Sequence, residues 1–143
     1  MPRLSDFFAV LFVSCSELVG VWREEVHKAT FRVVSCPRHP DAGDFLLGIL
    51  PAARVSSRGC WVEGYFYSAN GRFFAESRFV AGFVPYNTGD AITVILDLNF
   101  KTVAFQKNGT AVGERTLTID HDEYYFTFDT DLIGATVSIE NLE

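Results

Sequence analysis

The chain has 143 residues, 48% of them apolar and 15% aromatic, with 14 Phe and only 21% charged. That is too apolar for a disordered segment and long enough to bury a core, so a single domain over residues 1–143 is expected. Twelve Lys and Arg against 18 Asp and Glu leave a net charge of -6, a field that repels nucleic-acid backbones and anionic membrane surfaces.

In chain order the first apolar run, residues 7–13 after Arg3, reads in two ways. It is a strand rich in Phe and Val, or the apolar part of a short secretory signal closing on Ser14-Cys15-Ser16. It is too short for the roughly 18 continuous apolar residues of a membrane-spanning helix. Strands are expected next at residues 19–23 and 30–35, before a Pro- and Gly-bearing break at residues 36–43. Further strands are expected at 44–50, 64–67, 72–76 and 79–84, with Asn70-Gly71 as a turn and residues 85–90, Pro-Tyr-Asn-Thr-Gly-Asp, as a second break.

The clearest periodicity follows. Ile92, Val94, Leu96 and Leu98 alternate with Thr93, Ile95 and Asp97, which is period two with one apolar face. Asn99 to Lys101 turns the chain, Val103 and Phe105 repeat the alternation, and Asn108-Gly109 provides the positive φ of a two-residue hairpin before a short strand at Val112-Gly113. Residues 124–128 and then Val137 and Ile139, alternating with Thr136, Ser138 and Glu140, complete the set. Helix signals are almost absent, and short strands punctuated this often predict an all-β, two-sheet antiparallel sandwich.

Little in the sequence points to catalysis. His27, His39 and His121 lie in separate segments, and no Ser or Cys sits in a nucleophile elbow, so no catalytic residue is nominated. Asp120, Asp122, Glu123, Asp129 and Asp131 are hard oxygen donors without a calcium-loop order, so neither metal nor cofactor is expected. Cys15, Cys36 and Cys60 are scattered and odd in number, which fits reduced thiols in the cytoplasm better than a disulfide framework.

The stretch from Gly89 to Gly113 carries a family likeness. Gly89-Asp90-Ala91-Ile92-Thr93-Val94, Asp97, then Thr102-Val103-Ala104-Phe105-Gln106-Lys107-Asn108-Gly109 resembles the signature of the SPRY domain family in wording and spacing. Phe31-Arg32-Val33, Phe45 to Ile49, Glu63-Gly64-Tyr65 and Ala135 to Ile139 are similar to other family strands. Two departures are visible. Arg32 stands where the family has Glu in a Trp-Glu-Val opening, and the Leu-Asp-Pro motif of the PRY segment is missing.

The resemblance implies a concanavalin-like jelly roll without catalysis, whose end loops present a surface to a peptide or protein. Loops on a stiff sheet framework are where binding residues concentrate. The segment 51–61 stands out, because Arg54 and Arg58 with Trp61 make a local positive, aromatic-flanked site in an acidic chain, fitted to an acidic or carbonyl-rich peptide. By position it resembles a ligand-facing loop of the family, joined by Tyr67 to Phe74 and by a turn containing Asp129, Thr130 and Asp131. The alternative is a lectin-like sugar-binding sandwich, although the His-x-Asn-x-Arg order of galectins is absent. As sugar platforms Trp22 and Trp61 are poor candidates, since each is better explained as a core residue filling volume in a small sandwich.

Overall fold

A computed structural model describes residues 11–14, 26–36, 45–51, 64–75, 78–82, 84–119, 123–130 and 135–142. Every element among them is a strand. β1 is Leu11–Ser14, β2 Val26–Ser35, β3 Phe45–Pro51, β4 Tyr65–Ser68, β5 Arg72–Ala75 and β6 Arg78–Gly82. β7 is Ala91–Asp97, β8 Thr102–Lys107, β9 Thr110–Thr118, β10 Glu123–Thr130 and β11 Thr136–Leu142. They form a six-stranded sheet in the order β1-β10-β3-β4-β5-β6 and a five-stranded sheet in the order β11-β2-β7-β8-β9. Neighbouring strands in both sheets pair antiparallel. The fold is the two-sheet sandwich expected from the sequence.

The alternation of side chains dictates which face each strand buries. In β7, Ile92, Val94 and Leu96 point to the core and meet Phe31 and Ala29 of β2 and Val103 and Phe105 of β8. The six-stranded sheet supplies Phe45, Leu47, Ile49, Tyr65, Tyr67, Phe73, Tyr124, Phe126 and Phe128 from the other side. Such interdigitation of two inner faces is the usual core of an aligned sandwich. Outward residues of β2 and β7 pair across strands, as Thr30 and Thr93 do through their hydroxyls at 2.9 Å.

β3 departs from alternation, since all seven of its residues are buried. Leu46 and Leu50, with Phe66 of β4 and Thr127 of β10, are buried on the second face of the six-stranded sheet as well. Gly48 permits the close approach of β3 and β4. A Cβ there would lie 2.9 Å from Phe66 Cα and closer still to the Tyr65 carbonyl oxygen.

Several boundaries differ from the sequence reading. β2 starts at Val26, β9 runs on to Thr118, and β10 runs from Glu123 to Thr130, because ladder hydrogen bonding to a neighbour carries a strand beyond its apolar pattern. In β11 the register with β2 shifts between Thr136 and Val137 and again between Ile139 and Asn141. This edge strand therefore loses strict alternation, and Ile139 is exposed. The strand expected at residues 19–23, Trp22 within it, lies outside the described residues, as do residues 7–10 of the first apolar run.

Candidate functional site at the connector end

The connector between β6 and β7 ties the two sheets together, and its described part, residues 84–90, defines one end of the sandwich. On the side of the six-stranded sheet, Tyr67 donates its hydroxyl to the Val84 carbonyl. Tyr86 inserts its ring into the core and donates its hydroxyl to the Tyr67 carbonyl at 2.8 Å and to the Phe45 carbonyl at 3.2 Å. Its backbone N–H donates to Ala69 at 3.0 Å. The rings beneath pack edge to face, Tyr67 on Tyr86 at 4.8 Å and on Phe105 at 5.7 Å, and Phe45 on Tyr86 at 5.9 Å. Burial, then the Asp90 charge, pushes the Tyr67 pKa upward, and burial does the same to Tyr86, so both phenols stay neutral donors.

On the side of the five-stranded sheet the connector is held by backbone and side chains together. Val33 N–H donates to the Asp90 carbonyl at 2.9 Å, and Gly89 N–H donates to the Val33 carbonyl at 2.8 Å. Cys36 N–H donates to Thr88 Oγ1 at 2.9 Å. Lys107 Nζ donates to the Pro85 carbonyl at 2.9 Å. Arg32 grips Glu140 through two bonds of 3.1 and 3.0 Å and donates a third, at 2.7 Å, to the Gly89 carbonyl. The departure of Arg32 from the family pattern thus has a structural use, a bridge from β2 to β11 and to the connector.

Asp90 is the hub. Its Oδ2 accepts the Asn87 N–H at 2.7 Å and its Oδ1 accepts Asn108 Nδ2 at 3.0 Å, with Lys107 Nζ 4.0 Å away. Asn108 in turn accepts the Ala91 N–H on Oδ1 at 2.8 Å. Desolvation acts to raise the Asp90 pKa, but the bonds from Asn108 and Asn87 and the charges of Lys107 and Arg32 outweigh it and hold the carboxyl below the usual aspartate range.

Above this base the connector shows an exposed upper surface of Val84, Pro85, Asn87, Thr88 and Gly89, flanked by Asn108 and Gly109. Val84 is 54% exposed. The fixed backbone and mixed apolar and amide character suit contact with a peptide or protein surface. Among the described residues no three of His, Cys, Asp and Glu converge to hold a metal ion.

Of the expected site residues, Tyr67, Phe74, Asp129 and Thr130 fall among the described residues. Arg54, Arg58, Trp61 and Asp131 lie outside the described residues. Pro51 and Tyr65, which flank the arginine segment in sequence, sit at the end of the sheet opposite Thr130, because Tyr124 pairs Pro51 while Thr130 pairs Phe45. Tyr67, expected at a binding rim, is fully buried and acts as a support for the connector. Phe74 is half-buried in β5, opposite Phe66. Asp129 and Thr130, expected in a turn, are ladder residues of β10 paired with Leu46 and Phe45. The sequence reading took residues 85–90 only as a break, so it missed Val84, Tyr86 and the Asn108 bond to Asp90. A tyrosine inside an otherwise polar turn was the available signal, since so large an apolar body in a turn needs somewhere to be buried.

No protein-family model matches the chain, and no curated protein matches it. Solved structures do. The SPRY domain of human HERC1 superposes with a TM-score of 0.66 at 18% identity, covering 92% of this chain and 77% of that one. A second human SPRY domain superposes at 0.61 with 16% identity, covering 80% and 75%. The fold is SPRY-like.

Proposed function

We propose that this chain is a non-catalytic interaction domain that holds a peptide or protein surface on its connector end. One observation carries the reading: the connector is fixed to both sheets from below while Val84, Pro85, Asn87 and Thr88 face solvent. A loop ordered before its partner arrives loses little entropy on binding, and such preorganisation favours affinity. The likeness to SPRY domains supports the same role, since those folds serve widely as protein-interaction modules. Arg54 and Arg58, with Trp61, are proposed on their composition alone as a separate contact for acidic groups, independent of the connector surface. The cytoplasm is the proposed compartment, and no cofactor takes part.

Selection of peptides from a displayed random library on the immobilised domain tests this reading. Peptides should be recovered, and Val84→Asp should weaken them by about tenfold, because a charge in a desolvated contact is costly. Phe100→Ala, at the other end of the sandwich, should leave affinity unchanged. Peptides sensitive to Phe100 and indifferent to Val84 would place the site at the wrong end. Retention of glycans and of no peptide would favour the lectin alternative.

A further inference from the structure

We propose that Asn108 is a deamidation site latched by Asp90, and that its conversion to a carboxylate releases the connector irreversibly. Asn108 and Gly109 form the two-residue turn between Lys107 and Thr110, with φ of 52° and 85°. Asn followed by Gly is the pair in which succinimide formation meets least steric resistance, because the attacking backbone nitrogen belongs to a residue without Cβ. Both residues are exposed, so water reaches them.

The chemistry is complete with water alone. The Gly109 backbone nitrogen, giving up its proton, bonds to Asn108 Cγ. The bond from Cγ to Nδ2 breaks, and ammonia leaves with that proton. Water then opens the five-membered imide at either carbonyl, leaving aspartate or isoaspartate at position 108. Nothing is oxidised or reduced.

The fold controls when this happens. Asn108 Nδ2 is held by Asp90 Oδ1 at 3.0 Å and its Oδ1 by Ala91 N–H at 2.8 Å, while Asn108 N–H donates to the Ala91 carbonyl at 2.7 Å. The side chain is thus pinned toward β7, and ring closure needs these bonds to open. After conversion the donor at Nδ2 is gone and a second carboxylate stands where the amide met the Asp90 carboxylate. Two like charges at hydrogen-bond distance repel, so the latch does not re-form. Asp90 also holds Asn87 N–H, so the disturbance passes into the connector. The latch is independent of whether this end binds a partner.

The test follows the full-length folded protein in neutral buffer at body temperature, scoring position 108 by peptide mass and isoaspartate by enzymatic methylation. Conversion should be at least about tenfold slower than in the urea-unfolded chain, as expected when reaction requires local opening. Asp90→Ala should bring the rate toward that of the unfolded chain. Asn108→Asp should raise amide exchange at Asn87 and Gly89, whereas Asn108→Gly, which keeps the turn and adds no charge, should raise it less. Equal conversion in the wild type and a folded Asp90→Ala variant would overturn the latch. If Asp90→Ala does not fold, the exchange comparison decides, and wild-type exchange at residues 87–89 in Asn108→Asp overturns the release.

Discussion

Phe105 and Phe100 show how position decides what a side chain is worth. Phe105 is buried between the sheets, with Phe73 5.0 Å away and Tyr67 5.7 Å away. Phe105→Ala should destabilise by about 3–5 kcal/mol, the transfer and cavity cost of a buried aromatic, as read by denaturant unfolding. Phe100 is 79% exposed on the turn between β7 and β8, where Asp97 Oδ1 accepts the N–H groups of Asn99 and Phe100 at 3.0 Å each. Phe100→Ala should change stability by no more than about 0.5 kcal/mol. Gly48 is the opposite extreme, a position where even one methyl group has no room. Gly48→Ala should cost about 1–3 kcal/mol as β3 and β4 are pushed apart, and the same unfolding curves would show it.

At the scale of the element, the connector is stable to the extent that its anchors are. Tyr86→Phe removes one hydroxyl and withdraws a donor from the Tyr67 and Phe45 carbonyls. A loss of about 1–3 kcal/mol in unfolding free energy is expected, and faster amide exchange at Tyr86 and Gly89 should accompany it. Asp90 sets the acid response of the same element. Its folded pKa is depressed, so the stability it contributes is present above the ordinary aspartate range, near about 4, and is lost as pH falls through the lower folded value. Asn108→Ala removes one of the bonds that depress it. The acid-unfolding midpoint of that variant, followed by circular dichroism, should move upward. These contacts were hard to read in the sequence because their partners are far apart along the chain: Asp90 meets Asn108, Arg32 meets Glu140, and Tyr86 meets Phe45. Residues 91–98 and 102–109 were legible because their period and turn chemistry are local. Asp129 and Thr130 misled for the converse reason, since polar residues at a strand end look like a turn until the pairing partner is known.

For the whole molecule, the two inner faces were foreshadowed by the alternation in β7 and β8 and by the abundance of Phe, whereas the doubly buried β3 was not separable from an ordinary half-buried strand. Cys36 is buried, so it should resist a bulky thiol reagent in the native protein. In the unfolded, unreduced chain all 3 cysteines should react, and fewer would point to a disulfide and against the cytoplasm. The connector end is proposed as the binding surface. Amide hydrogen exchange of the domain with and without a selected peptide tests it most directly. Protection is predicted at Asn87 to Asp90 and Asn108 to Thr110, with the Asn99 to Lys101 turn unchanged. Protection confined to that turn, or to residues 52–63, would contradict the account.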